Sequence, residues 1–176
     1  LDWLKTKGFS TKLLREPGST DFSEKIRELL LSKESNISAH TELLLMFAAR
    51  SEMIKDHLMD SKEDFILCDR YYHASIAYQG YGRNLSLDLI DLLIDGINCP
   101  TPNLTIIYDL DVKAGFERKT HDVIDRIESS GMKFFEDVRV GYQQLAKERS
   151  EVEIVDASES IECISQQTKV LIERLI

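Results

Sequence analysis

Phe65-Ile66-Leu67-Cys68 is an unbroken apolar run that stops abruptly at Asp69-Arg70, and Leu104-Thr105-Ile106-Ile107-Tyr108 does the same before Asp109-Leu110-Asp111. Short runs of this kind are expected of parallel strands buried on both faces. Lys12 to Leu14 and Val152 to Val155 read as two more strands. The stretches between them carry helical spacing. Phe22, Ile26, Leu29 and Leu30 recur on one face of 21–31, and Leu43, Leu44, Met46, Phe47, Met53, Ile54 and Leu58 follow a helical period in a long helix starting at Ser38. Further helices are expected over 72–79, 86–97, 112–119, from about 131 to 149, and over 159–175, with Leu1 to Lys7 as a short helix stopped by Gly8. Strands that alternate with helices in this way specify an α/β fold, a parallel sheet covered by helices on both faces and joined by right-handed crossovers.

A chain of 176 residues with 43% hydrophobic content supports one well-cored domain, and no repeat or low-complexity segment divides it. The formal charge of −9 argues against binding a nucleic-acid backbone, while leaving room for small phosphorylated ligands gripped by a few local arginines. Cys68, Cys99 and Cys163 are odd in number and far apart, which fits a reducing, cytoplasmic setting and no disulfide framework. The longest apolar stretch, Leu43 to Ala49, is far too short to cross a bilayer, and no charged-then-apolar leader is visible at the start, so no membrane partner is expected. His40, His57, His73 and His121 are scattered without metal-ligand spacing, and no nucleophile elbow supports hydrolase chemistry.

The chemistry-bearing strings lie at strand ends, where open α/β sheets bind ligands. They are Arg15-Glu16-Pro17-Gly18-Ser19-Thr20, Asp69-Arg70-Tyr71 with Ala77-Tyr78-Gln79-Gly80, and a later Asp125-Arg126-Ile127-Glu128. A guanidinium fork grips two phosphate oxygens at once, so arginines in such loops point to phosphate handling. In this order and over nearly the whole chain, the strings resemble thymidylate kinase of the bacterial type.

The resemblance implies a P-loop nucleoside monophosphate kinase-like fold with a short lid at about 118–130, ATP as co-substrate, Mg²⁺, dTMP as acceptor, and a homodimer packed through helices such as the one from Ser38. It implies transfer of the ATP γ-phosphoryl group without a covalent intermediate, in dTTP synthesis. Arg70 matches the arginine that reaches the acceptor phosphate and the reacting centre, with Asp69 positioning it or contributing to a water-mediated Mg²⁺ site. Arg27 matches a monophosphate-binding arginine, Glu16 and Arg15 acceptor-side contacts, and Arg50 a donor to the thymine ring. Met46, one turn before Arg50, stands where the family stacks a Phe on the base. Tyr71 either lines the sugar pocket or packs in the core. Ser75 and Gln79 match contacts to base edge and sugar. Arg118 and Arg126 match arginines that touch ATP phosphates when the lid closes, and Glu128, beside Asp125, a water-mediated Mg²⁺ ligand.

Several positions depart from the family pattern: Ser19 and Ser23 for glycines, Met46 for Phe, Ala74 for a hydroxyl residue, Ile127 for an aromatic. The family also opens with a strand and a Gly-Lys-Ser/Thr phosphate loop, whereas this sequence starts at Leu1. A fifth, central strand is therefore expected upstream of Leu1. The competing expectations are a kinase for another deoxynucleotide or deoxynucleoside, and a non-catalytic nucleotide-binding relative.

Overall fold

The computed structural model describes residues 1–118 and 125–176. Four parallel strands alternate with helices: α1 (Asp2–Thr6), β1 (Thr11–Arg15), α2 (Asp21–Leu31), α3 (Ala39–Met53), β2 (Phe65–Asp69), α4 (Tyr72–Ser75), α5 (Leu87–Gly96), β3 (Thr105–Asp109), α6 (Val112–Arg118), α7 (Met132–Glu148), β4 (Val152–Asp156) and α8 (Ile161–Glu173). The architecture is parallel β-structure flanked by helices, as the alternation requires. The helix starts follow local chemistry. Thr20, Ser38, Ser86 and Ser160 each cap a helix by accepting the backbone N–H three residues on, removing one orphan donor apiece. Gly8, at φ +93°, ends the turn after α1 in a conformation that costs glycine little.

The strands pair in two sets among the described residues rather than forming one continuous sheet. β1 runs beside β2 with Arg15 opposite Asp69, and β3 beside β4 with Asp109 opposite Asp156. This corrects the reading of Phe65 to Cys68 as buried on both faces. All four residues are half-buried, and among the described residues β2 has a hydrogen-bonded neighbour along one edge only. In β3 only Ile107 is fully buried.

Two helices continue into wider π-helical turns that no sequence signal announced. α3 runs on through Ile54–Leu58, and α4 through Ile76–Gly82, so the expected 72–79 helix extends three residues further. Single π turns inside helices occur mostly where side chains must be re-aimed at a site. The core gathers around the second of them: Leu43 and Phe47 of α3, Tyr72, Ile76, Ile90 of α5 and Leu145 of α7 form one cluster. Ala77, Ile127, Phe134 and Val138 form the next. α7 lies so close to the π segment that a Cβ at Gly141 would sit 2.8 Å from the Tyr81 ring and 3.0 Å from the Ala77 backbone. Among the described residues no helix is long and apolar enough to cross a membrane.

His73 is enclosed beside the amino ends of β3 and β4. Its Nδ1 lies 3.3 Å from Thr105 Oγ1, and its Nε2 3.5 Å from Glu151 Oε1, too far for a good hydrogen bond. Burial, reinforced by Arg149, depresses its pKa from 6.5 to about 4. Between those values the unfolded chain takes up a proton that the folded chain refuses, so stability falls as pH drops from about 6.5 to about 4. The loss is expected to reach about 2–3 kcal/mol. Chemical denaturation of the parent and of His73→Gln across that range checks it: the gap between the two should close steadily toward acid pH, and parallel curves would remove His73 from the account.

Candidate acceptor-side site

The turn after β1 is built to hold Glu16 inward. The Glu16–Pro17 peptide is cis, Gly18 has φ +144°, and Ser19 is a non-glycine residue at φ +74°. A left-handed backbone at Ser19 is one that glycine adopts without cost, in line with the glycine that the family pattern places there. Serine compensates with hydrogen bonds: its hydroxyl donates to Arg15 O at 3.1 Å and accepts from Arg15 N at 2.8 Å, and its own N–H donates to Glu24 Oε1 at 2.9 Å. Arg15 pairs with Glu24 at 2.9 Å. His57, from the π turn after α3, reaches Ser19 O at 2.6 Å. Arg27 donates to Pro17 O at 2.9 Å, which sets its guanidinium against the turn.

Glu16 meets Arg50 across the site. Arg50 is 2% and Glu16 6% exposed. Arg50 Nε donates to both carboxylate oxygens at 3.0 and 2.9 Å, and Nη2 to Oε2 at 2.6 Å and to Ser75 Oγ at 3.0 Å. The guanidinium lies over the Phe47 ring at 4.5 Å, with the Tyr71 ring at 5.7 Å. Phe47 is thus core, as its helix position implied, and a platform for the arginine as well. Burial works against the Arg50 charge, yet Glu16 outweighs it and the Arg50 pKa stands above its ordinary value. Burial likewise pushes the Glu16 carboxyl up, opposed by Arg50. With a guanidinium bonded to both oxygens, the ionised form is the one this geometry holds. One donor is left over. Arg50 Nη1 is buried and has no hydrogen-bond partner among the described residues.

The β1–β2 register brings the second string beside the first, since Glu16 N donates to Asp69 O at 2.9 Å. Arg70 is a non-glycine residue at φ +66°, and its guanidinium lies over the Tyr78 ring at 5.0 Å. A left-handed backbone at an arginine costs about 1–2 kcal/mol and persists only where the surroundings impose it. Arg70 and Asp69 both remain exposed to solvent, at the carboxyl end of β2. Met46 is half-buried, touching the Ala77–Phe134 cluster on one side and the Ile26–Leu30 cluster on the other.

Two expected assignments are redirected by a carboxylate that the sequence did not single out. Glu42, 1% exposed, accepts Gln79 Nε2 at 2.9 Å and Arg126 Nη2 at 2.7 Å. It also accepts Arg83 Nε and Nη2 at 3.3 and 3.2 Å. Gln79 therefore donates one of its amide N–H groups to Glu42. Arg126 turns toward α3 rather than toward a phosphate. Ile127, which stands where the family pattern has an aromatic, is 3% exposed within the core. Asp125 and Glu128 bind each other's backbone, Glu128 N donating to Asp125 Oδ1 at 2.8 Å and Asp125 N to Glu128 Oε2 at 3.2 Å. Arg118 donates to Ala157 O at 2.8 Å, past the end of β4. The rest of the expected lid, 119–124 with His121, lies outside the described residues.

The thymidylate kinase family model matches residues 1–168. That span contains every string and every site residue discussed above. The chain belongs to the thymidylate kinase family. A thymidylate kinase of Ruthia magnifica is 41% identical over 180 residues, covering 99% of this chain and 88% of the relative. That of Thermosipho africanus is 37% identical, with 98% and 87% covered. A crystal structure of thymidylate kinase from Ehrlichia chaffeensis superposes with a TM-score of 0.72 at 30% identity, over 92% of this chain and 80% of that one. Against the thymidylate kinase pattern, sequence reading missed Glu42, Arg83, His57 and the Tyr78 platform. The available signal for Glu42 was its spacing, four and eight residues before Met46 and Arg50 on one face of α3.

Proposed function

We propose that Arg50, with Ser75 and Met46 beside it, receives the thymine of dTMP, and that Arg27 and Arg70 serve its phosphate. The reaction is that of the family: ATP and dTMP give ADP and dTDP. The observation that carries the base assignment is the unpartnered Nη1 of Arg50. A buried donor without a partner costs about 1–3 kcal/mol, and a ring carbonyl on the ligand would satisfy it on binding. Ser75 and Glu16 hold the remaining Arg50 donors, so the guanidinium is fixed in angle before the ligand arrives. Met46 offers a polarizable thioether in place of an aromatic ring.

Phosphoryl transfer needs two nucleotides in line and positive charge around the moving group. Arg70 supplies that charge from an enforced backbone, at the end of a strand and free of any carboxylate hydrogen bond among the described residues. Asp69 and Glu128 offer the hard oxygen donors that Mg²⁺ accepts through water, and the ion would neutralise charge between the donor phosphates. Arg118 is the donor-side arginine in this reading. A cytoplasmic homodimer completes it, with Phe22, Leu29 and Leu44 as the exposed apolar face of α2 and α3, at 53%, 56% and 56% exposure.

Calorimetric titration of dTMP against dCMP tests the base assignment. Cytosine presents an amino donor where thymine presents a carbonyl, so the proposal expects dCMP to bind at least about tenfold more weakly. Equal affinities would leave Nη1 without its role and favour the reading in which the acceptor is a different deoxynucleotide.

A further inference from the structure

Glu42 takes no part in the chemistry outlined above, yet it is the most heavily bonded carboxylate of the acceptor side. Three chain segments meet at it: α3, the π segment carrying Gln79 and Arg83, and the turn carrying Arg126. Burial penalises its charge, but the Gln79 amide and the two arginines hold its pKa below the ordinary carboxylate value. Arg126 is anchored beyond its bond to Glu42. Its Nε donates to Leu30 O at 2.7 Å and its backbone N to Leu31 O at 3.2 Å, so the 125–130 turn is tied to the end of α2 as well. Ile127 then inserts into the core beside Phe134. Arg83 is clamped from its other face by the Phe134 ring, 4.4 Å away.

We propose that Glu42 is a positioning residue for phosphoryl transfer: it fixes the Asp125–Glu128 turn in register with the acceptor pocket, two helical turns along α3 from Arg50. The proposal rests on the acceptor-site reading above. Its physical content is that one buried carboxylate neutralises two arginines brought together from distant segments. Without the carboxylate, Arg83 and Arg126 repel each other and lose a shared acceptor, and the turn loses one of its ties. Asp125 and Glu128 would then reach the nucleotides in many geometries rather than one. Gln79, released at the same time, would no longer brace the π segment against α3.

The test uses Glu42→Gln, which preserves shape and one acceptor oxygen, with Arg126→Ala and the double variant. Glu42→Gln is expected to melt cooperatively, to speed amide hydrogen exchange in 125–130 at least about tenfold, and to lower kcat about 10²-fold. KM for dTMP should change less than about threefold, a split that general destabilisation would not produce. Arg126→Ala should reproduce the kcat loss, and the double variant should add little to either single one. Unchanged exchange in 125–130, a kcat within twofold of the parent, or additive losses would overturn the proposal. A parent enzyme that fails to phosphorylate dTMP would instead overturn the acceptor-site reading, and the exchange arm would still decide whether Glu42 ties the turn down.

Discussion

Arg70→Ala should lower kcat by at least about 10³-fold while leaving the melting temperature of the protein within a few degrees of the parent. The size follows from the role: an arginine delivering charge to a transferring phosphoryl group is worth about 10³–10⁵ in rate. The sparing of the fold follows from the structure. Arg70 is exposed, and its guanidinium rests on the Tyr78 ring without a carboxylate hydrogen bond among the described residues, so truncation there leaves no buried charge behind. The left-handed backbone at φ +66° is as costly for alanine as for arginine, which removes backbone strain from the comparison. Arg70→Gly extends the test, since glycine accepts that backbone freely and should match or exceed the parent in stability while remaining inactive. Steady-state turnover with a thermal melt on each variant measures both halves. Turnover near the parent level in Arg70→Ala would place the reacting charge elsewhere.

Arg50→Met should do the opposite kind of damage, striking fold and binding together. Arg50 and Glu16 are 2% and 6% exposed and joined by three short contacts. Removing one partner of a buried ion pair typically costs about 3–5 kcal/mol, because the other charge stays behind unpaired. For a chain of this length that corresponds to a fall of about 10 °C in melting temperature. The double variant Arg50→Met with Glu16→Met should recover most of that stability, since an apolar pair of similar volume replaces the ions. It should not recover dTMP binding, because the donors aimed at the base are gone. Thermal melts and calorimetric titrations of the three proteins separate the effects. An Arg50→Met protein with parental stability and parental dTMP affinity would show that the pair is idle.

These residues also mark where sequence reading stops. The strands at 65–68, 104–108 and 152–155, and the helix starts at Ser38 and Ser86, were legible because apolar runs and helical periodicity are local. Arg50, Ser75 and Glu16 were legible as members of a site through the order of their motifs. That Glu16 and Arg50 grip each other was not legible, since nothing in a sequence says which of many charges 34 positions apart will face inward. Arg126 shows the same limit over a separation of 84 residues: its motif suggested a phosphate, and packing of the 125–130 turn on α2 gave it Glu42. Glu42 lies in the first turn of α3, where an acid is favourable near a helix N-terminus, so its position alone does not set it apart. The π segment over 76–82 lies where α7 approaches closely, at Gly82 and Gly141, a tertiary fact that carries no local signal.

The most direct measurement is steady-state phosphorylation by the purified protein with Mg²⁺ and ATP, comparing dTMP with dUMP, dCMP, dAMP and thymidine. A strong preference for dTMP, lost in Arg70→Ala, is the result expected of a pocket in which Arg50 reads the base and Arg70 serves the phosphate. No turnover of any acceptor, with dTMP still binding, would contradict it and make this chain a nucleotide-binding relative without transferase activity.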